Sequence, residues 1–282
     1  MNLETFFSNF ELFADAPNGV QKLRELILQL AVQGKLVPQN HKDEPAAVLL
    51  EKIKAEKERL VKEGKIKKSK KLPPVDVGEM AFDLPQGWEW VRWEDVAFQI
   101  GDVDHKMPQQ AEDGIPYVSP RDFTKEGDIY FSAAKKISIE DFERLRQKIQ
   151  PQKDDIIFPR YGTIGVNRYV NTDIDFLDSY SCAVIKNFSG FISPKYSYYY
   201  SISLLIKSEI TRYINKTTQA NVGVKSIQNF IFPLPPLNEQ HRIVAKVNQM
   251  MCLCDELEAK LTQSIGDREK LMSAAVRQVL AA

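Results

Sequence analysis

Apolar residues recur with a helical period at both ends of the chain, and in shorter strand-like runs between them. Near the amino terminus a helix is predicted over residues 18–33, with Gly34 as its stop and an apolar face made of Leu23, Leu26, Ile27, Leu30 and Ala31. A second, highly charged amphipathic helix is predicted over residues 45–63, with Pro45 in its first turn. Residues 64–87 combine a lysine cluster with proline-containing stretches, which is typical of a linker.

The middle of the chain, residues 88–237, alternates short β-like runs with turns. The runs are "WEWVRW", "IPYVSP", "DDIIFPRYGTIGVNRYV" and "SYSCAVIK". Short helices are predicted around residues 138–147 and 194–215. This pattern predicts one mixed domain of short strands and helices.

A long helix is predicted over residues 238–282, directly after the stretch "FPLPPLNEQ". The prolines favour extended backbone, after which Asn238 is a suitable N-cap and Glu239 lies in the first turn. The apolar positions that follow have heptad spacing, at Ile243, Val247, Met250, Cys254, Leu257 and Leu261. The pattern weakens near Gly266 and resumes at Met272, Ala275 and Val279. This spacing predicts pairing with another long helix, and an ordinary amphipathic helix on a core is the alternative.

Composition narrows the class of protein. The 282 residues hold 38 basic and 38 acidic side chains, which disfavours a protein that coats nucleic acid without selectivity. Basic residues are in excess over residues 42–71 and 160–238, so a surface that binds a polyanion is expected to draw on these segments. The cysteines, Cys182, Cys252 and Cys254, form neither a disulfide framework nor a zinc pattern. No transmembrane run and no leader pattern occur, so the interpretation is a soluble, cytoplasmic protein.

The sequence lacks the patterns that indicate an enzyme. It has no glycine-rich nucleotide loop, no Asn/Asp-Pro-Pro-aromatic tetrad of an amino-methyltransferase, and no acidic pair followed by Glu-x-Lys as in metal-dependent nucleases. His41, His105 and His241 lie far apart in polar stretches. No catalytic residue and no metal ligand is therefore assigned, and we expect a binding protein.

Four stretches, taken in order, resemble the specificity subunit of Type I restriction-modification enzymes. They are "LPQGWEWVRW", "GIPYVSPRDF", "DDIIFPRYGTIGVNRYV" and "TTQANVGVKSIQNFIFPLPPLNEQHRIV", preceded by "GKLVPQ" at residues 34–39. The last stretch is the most specific, because it joins a polar turn, an extended "FPLPPL" segment, Asn-Glu-Gln and the start of a long helix. The resemblance spans nearly all of the chain.

The resemblance implies an α+β protein in which a target-recognition domain is joined to long helices that pack as an antiparallel coiled coil. It divides the chain into a helical segment 1–71, a DNA-binding domain 72–237 and a spacer and assembly helix 238–282. A protein of this kind is not catalytic. It reads one half of a bipartite DNA target and docks the methyltransferase subunits, which bring S-adenosylmethionine, and through the complex it meets the restriction subunit.

The chain departs from the family pattern because it contains a single recognition domain. The interpretation is therefore a half-size subunit that pairs with a second copy, or one half of a longer subunit. The runner-up hypothesis is a stand-alone dimeric DNA-binding regulator, and a third is a nuclease with an unrecognised site.

Candidate DNA contacts lie in loops of the recognition domain. Arg121 follows a turn, and Arg160 and Tyr161 precede Gly162 and Gly165, where backbone could approach a phosphate. A polar loop adds Lys216, Thr217, Thr218, Gln219, Asn221 and Lys225, with the amides that can bind adenine. Solvated loops and tight turns without a ligand are the alternatives, and the resemblance favours phosphate contacts or a structural role for the polar loop. The six heptad positions are the candidate assembly residues.

Overall fold

The computed structural model describes residues 18–68, 70–104, 106–215 and 219–280. Its elements in chain order are α1 (Gly19–Val32), α2 (Ala46–Lys62), β1 (Glu89–Arg92), α3 (Trp93–Val96), β2 (Ala97–Gly101), β3 (Ile115–Val118), β4 (Lys135–Ile137), α4 (Ile139–Arg146), β5 (Ile156–Pro159), β6 (Arg168–Tyr169), β7 (Leu177–Asp178), β8 (Cys182–Asn187), α5 (Pro194–Ser201), α6 (Leu204–Tyr213), α7 (Val224–Asn229), β9 (Ile231–Leu234) and α8 (Leu237–Leu280). The mixed α+β class predicted for the chain is confirmed.

Helices with strong apolar periodicity form close to where the sequence predicts them. Helix α1 stops before Gly34, whose φ is +67° and whose added Cβ would lie 2.5 Å from Cγ of Pro85, so only glycine fits there. Pro45 occupies the N-cap of α2 rather than its first turn. The helix predicted over 194–215 is two helices, α5 and α6, which meet at residues 202–203.

The strands form three small sheets. Strands β2, β8, β5 and β6 make an antiparallel sheet in that order, and β4, β3 and β7 make a second sheet in which only β3 and β7 run parallel. Strands β1 and β9 pair with each other, which ties residues near position 90 to the segment just before α8. The pairing therefore closes the middle domain at the place where the terminal helix leaves it.

An aromatic cluster fills the centre of the largest hydrophobic core. Trp93 is fully buried, with its ring edge-on to Tyr200 at 5.0 Å between centroids and stacked on Phe232 at 6.4 Å. The hydroxyls of Tyr196 and Tyr200 donate to the carbonyls of Pro233 and Ile231, each at 2.7 Å. These tyrosines thus pack the core and hold β9.

This core crosses both boundaries that the sequence predicts. One hydrophobic cluster joins α1 and α2 with the strands, with α5 and α6, and with α8 as far as Leu261. The division at 71/72 and 237/238 stays a prediction. Within the described ranges, no helix has both the length and the apolar character needed to cross a bilayer.

The first turn of α8 is bonded to the domain by two buried side chains. Glu239 accepts hydrogen bonds from Trp88 Nε1 at 3.0 Å and from Gln39 Nε2 at 2.7 Å. Gln240 donates to the carbonyl of Pro235 at 3.1 Å and accepts from the backbone of Ser193 at 2.8 Å. These four bonds set the direction in which α8 leaves the domain.

The helix begins one residue earlier than the sequence predicts. Because α8 starts at Leu237, Asn238 lies inside the first turn and is not the N-cap. Its side chain is exposed, unlike those of Glu239 and Gln240.

The heptad positions of α8 are covered by this chain's own α1. Arg24 in α1 pairs with Asp255 at 2.6 Å and Glu258 at 2.8 Å, whereas Gln39 beyond α1 reaches Glu239, so the two helices run antiparallel. Burial is complete at Ile243, Val247 and Cys254, and partial at Met250, Leu257 and Leu261.

The six heptad residues therefore do not form an open seam, and this corrects their prediction as candidate assembly residues. Val247 is fully buried in the core of its own chain. Apart from Leu253, the large apolar side chains of α8 that are exposed to solvent lie after Leu261. They are Ile265, Leu271, Met272, Val276, Val279 and Leu280. Pairing of α8 with a second long helix stays a prediction.

Replacing Glu239 by alanine is expected to destabilise the chain by about 2–4 kcal/mol, because two hydrogen bonds are lost and the buried indole N–H of Trp88 is left without an acceptor. Asn238→Ala is the matched control, since it changes an exposed neighbour in the same turn. Urea unfolding monitored by circular dichroism measures both variants. If Glu239→Ala and Asn238→Ala unfolded at the same urea concentration, the role assigned to Glu239 would be wrong.

Candidate nucleic-acid interface

The ends of four strands and one loop meet at a single edge of the middle domain. The last residue of β5, Pro159, pairs with the first residue of β8, Cys182, and the last residue of β2, Gly101, pairs with Val184. Strands β3 and β7 are parallel and end together, and the chain then turns from β7 into β8. We call this edge the loop face, residues 102–104, 119–122, 160–163, 179–181 and 219–222.

The side chain of Arg160 lies beneath the loop face and binds two of its other segments and the first residue of β8. It is 4% exposed. Its Nη2 donates to Asp102 Oδ2 at 2.6 Å and to the carbonyl of Tyr180 at 2.7 Å, and its Nε lies 3.4 Å from the carbonyl of Cys182. The charge is therefore neutralised inside the domain by one carboxylate and further bonded by backbone oxygens.

The backbone of Arg160 extends the same connection to the polar loop through Val222. Its N–H donates to the carbonyl of Ser181 at 2.8 Å, and its carbonyl accepts from the N–H of Val222 at 3.0 Å. Lys148 adds a second cation to Asp102 at 3.2 Å. The prediction that Arg160 contacts DNA from a loop is corrected, since this guanidinium is already bonded within the domain.

Arg121 has the exposed position that the sequence predicts. It lies in a 3₁₀ turn, residues 120–122, which is closed by Asp122 accepting from both the N–H and the hydroxyl of Ser119, at 2.7 and 3.0 Å. The structure records no hydrogen bond or ion pair between Arg121 and another described residue. A cation on a short, rigid turn is well placed to bind a phosphate.

The two glycines after Tyr161 have different roles. Gly162 has a φ of +67° and open space around the position of a Cβ, so backbone or ligand can approach it. Gly165 packs against α6, where an added Cβ would lie 2.5 Å from Cδ1 of Ile210. Only Gly162 keeps the expected open approach.

The polar loop is described only in part, because Lys216, Thr217 and Thr218 lie outside the described residues. Asn221 pairs with Tyr161 in an isolated β-bridge, and its Nδ2 donates to the carbonyl of Gln219 at 3.0 Å. The pairing brings this loop beside the end of β5, although some sixty residues separate them in sequence. The side chains of Gln219 and Lys225 are exposed, the latter in the short helix α7.

Two tyrosines stand side by side on the loop face, and sequence reasoning identified only one of them. The rings of Tyr161 and Tyr180 are 6.4 Å apart at an angle of 73°, and both side chains are half-buried. Arg160 lies 5.3 Å from the ring of Tyr161, within range of a cation–π contact. Tyr180 falls in the run "SYSCAVIK", whose strand-like pattern gave no signal that its first residues form a turn.

A buried acid lies behind the same edge. Asp178, the last residue of β7, is fully buried, and neither of its carboxylate oxygens has a hydrogen-bond partner among the described residues. Burial raises the pKa of Asp178 to about 7, and the nearby charge of Asp102 acts in the same direction while Arg160 opposes it. In the described ranges no group of three metal-ligating side chains comes together.

A family model identifies the domain that carries this edge. The model described as the Type I restriction modification DNA specificity domain matches residues 85–266, which include every segment of the loop face and the first thirty residues of α8. The chain belongs to this family.

Curated relatives agree with the family assignment. The chain is 34% identical over 279 residues to the Type I restriction enzyme EcoAI specificity subunit of Escherichia coli, and 34% identical over 264 residues to the EcoEI specificity subunit of the same organism. Each comparison covers 90% of this chain and 43% of the relative, so the chain spans less than half the length of these relatives. A solved structure of the HsdS subunit from Thermoanaerobacter tengcongensis is similar with a TM-score of 0.48 at 20% identity, covering 86% of this chain and 51% of that one.

For this specificity domain, Arg160→Ala is expected to lower the free energy of unfolding by about 3–5 kcal/mol, because it removes one partner of a buried ion pair together with its backbone bonds. Arg121→Ala should change stability by no more than about 0.5 kcal/mol, since Arg121 is exposed. Urea unfolding of both variants provides the comparison. If Arg160→Ala proved as stable as Arg121→Ala, the bonded role of Arg160 would be wrong.

Asp178 predicts a pH dependence of stability. Because its folded pKa is about 7 and its unfolded pKa about 4, the native state binds the proton more tightly, and stability should fall as pH rises from about 4 to 7. Asp178→Asn should remove that part of the slope and stabilise the chain by about 2–4 kcal/mol above pH 7. Measuring the free energy of unfolding of wild type and Asp178→Asn across this pH range tests the prediction. Asp173→Asn is the control, because Asp173 forms an exposed ion pair with Lys153. If the unfolding free energy of Asp178→Asn depended on pH as that of wild type does, the raised pKa assigned to Asp178 would be wrong.

Proposed function

We propose that this chain is the sequence-specific DNA-recognition subunit of a Type I restriction-modification complex, and that its loop face reads one half of a bipartite target. The match of the DNA specificity domain over residues 85–266 carries the proposal. The names of the relatives, both specificity subunits, support it. The geometry adds a set of short loops held on strand ends, which is the arrangement that precise recognition needs.

Contacts to phosphates position a protein on DNA, whereas contacts to base edges specify the sequence that it binds. Arg121 and Lys225 are exposed cations suited to phosphates, and Lys216 belongs with them as a proposal from sequence. The amides of Gln219 and Asn221 suit base edges, and Thr217 and Thr218 complete the polar loop. Tyr161 joins this surface through its bridge to Asn221.

The chemistry of methylation and cleavage is proposed to lie in the partner subunits. The methyltransferase subunit would bring S-adenosylmethionine, and the restriction subunit would join through the complex. The chain itself would then be a non-catalytic reader that works in the cytoplasm, where its DNA target is.

Reading a bipartite target needs a second loop face. The chain presents one such face and spans 43% of its relatives, and α8 extends well beyond the part that α1 covers. At about 1.5 Å per residue its 44 residues reach roughly 65 Å. The exposed apolar side chains after Leu261 are therefore proposed to pair with the same region of a second copy or a second half.

The function is tested by expressing the chain together with a Type I methyltransferase subunit from the same organism. The expected result is a stable complex that methylates one split DNA sequence, with neither subunit active alone. Sequence-specific binding by the chain in the absence of any association with the methyltransferase would contradict the proposal and support a stand-alone regulator. Cleavage of DNA by the chain alone in Mg²⁺ would indicate a nuclease.

Assembly through α8 predicts the effect of charging its exposed apolar side chains. Met272 and Val279 are 69% and 76% exposed, so changing both to aspartate should abolish self-association and leave the unfolding free energy within about 0.5 kcal/mol of wild type. The matched control is the double variant Lys270→Asp and Arg277→Asp. These two residues are also seven positions apart but lie on the opposite side of α8, and their replacement changes the net charge more than the Met272/Val279 variant does. Sedimentation velocity separates monomer from dimer. A Met272/Val279 variant that still self-associates would place the contact elsewhere.

A further inference from the structure

We propose that Tyr161 and Tyr180 form a non-ionic base reader at the centre of the loop face, and that the group they recognise is the methyl of thymine. The inference deepens the proposed function and rests on it. It concerns which part of the loop face reads sequence, and it adds Tyr180 to the residues that sequence patterns identify.

The two rings are held before any ligand binds. Tyr161 lies two residues after the end of β5 and is held by its bridge to Asn221, while the carbonyl of Tyr180 accepts from Arg160 at 2.7 Å. The rings meet edge to face at 6.4 Å, and the buried guanidinium of Arg160 lies 5.3 Å from the ring of Tyr161. Little conformational freedom is therefore left to lose when the pair makes a contact.

The position of the pair indicates DNA bases rather than phosphates. Arg160, the cation nearest to the pair, is buried and bonded to Asp102, so it does not offer its charge to a phosphate. Exposed cations lie on neighbouring segments, with Arg121 in the 119–122 turn and Lys225 beyond the polar loop. The rings therefore suit contact with bases, and the exposed cations on the other segments suit contact with phosphates.

The major groove offers aromatic rings one apolar partner. Every other group on the base edges there is a donor or an acceptor, whereas thymine presents a methyl at C5. Burial of one methyl group corresponds to about a fourfold change in affinity. A rigid tyrosine pair can therefore distinguish thymine from cytosine by contact alone.

A second tyrosine pair supplies the matched control. Tyr169 and Tyr198 have ring centroids 5.5 Å apart, with Nζ of Lys195 at 3.6 Å from the ring of Tyr169. Tyr169 pairs with Ile156 at the start of β5, the opposite end of the strand from Tyr161. The two pairs thus share composition and partial burial but lie near opposite ends of β5.

The test uses the chain assembled with its methyltransferase subunit and its methylated half-site, once that sequence is known. Each thymine of the half-site is replaced in turn by uracil, which lacks only the methyl. With wild type, at least one replacement is expected to weaken binding about fourfold. Tyr161→Ala and Tyr180→Ala are expected to weaken binding about tenfold and to become insensitive to that replacement.

Three comparisons distinguish a base contact from a phosphate contact or a purely structural role. Tyr180→Phe should keep the sensitivity to uracil, and Tyr169→Ala should bind as wild type does. Dependence on salt should be unchanged in Tyr161→Ala and Tyr180→Ala, whereas Arg121→Ala should reduce the salt slope by about one.

The outcomes distinguish this inference from the proposed function. If wild type binds its target specifically but no uracil replacement weakens it, or if the alanine variants keep the sensitivity, the tyrosine reader is wrong and the function stands. A salt slope that falls in Tyr180→Ala would reveal a phosphate contact and would also overturn the inference. Wild type with no sequence preference would refute the function and the reader together. The uracil replacements are made in the DNA and measured with the wild-type protein, so this part of the test does not depend on whether the alanine variants fold.

Discussion

The ion pair between Arg160 and Asp102 is the interaction on which the loop face depends. Moving two charges out of water is costly, and their attraction offsets that cost only where the geometry is close and the remaining donors are bonded. Arg160 meets both conditions, with its carboxylate at 2.6 Å and the carbonyl of Tyr180 at 2.7 Å. Its backbone reaches the polar loop through Val222. Segments that lie as much as 120 residues apart in sequence are thereby held at one edge, so the fold itself fixes the backbone that carries the exposed side chains.

The direction of α8 is set by a comparable group of buried hydrogen bonds. Glu239 and Gln240 bind Trp88, Gln39, Pro235 and Ser193, and β9 before them is paired with β1. Because α8 shares one hydrophobic cluster with β2, β5 and β8, whose ends carry loop-face segments, the angle between the helix and that face is part of the fold. A second copy that binds the exposed end of α8 would then carry its own loop face to a defined distance. Under the proposed function, the spacing of two half-sites would follow from side-chain bonding at the start of α8.

Local sequence patterns predicted the helices well. The features that these patterns did not predict depend on contacts between residues far apart in the chain. The ends of α1 and α2 follow from apolar spacing, since helix bonds lie within a few residues. Strand β2 was not predicted, because it is stabilised by pairing with β8, more than eighty residues away in sequence. Arg160 resembled an exposed loop arginine because its partner Asp102 lies 58 positions away. Heptad spacing in α8 indicated a helix partner, but periodicity does not say which one, and α1 of the same chain covers Val247. Tyr180 carried no local signal at all.

Hydrogen exchange of the chain, assembled with its methyltransferase subunit, tests the central claim most directly when it is measured with and without the target DNA. If the loop face reads DNA, exchange should slow in peptides that contain residues 119–122, 160–163, 179–181 and 219–222. Residues 150–154 and 171–175, at the opposite end of β5, serve as the internal reference and should be unchanged. Slowed exchange at that opposite end, with the loop face unaffected, would contradict the account.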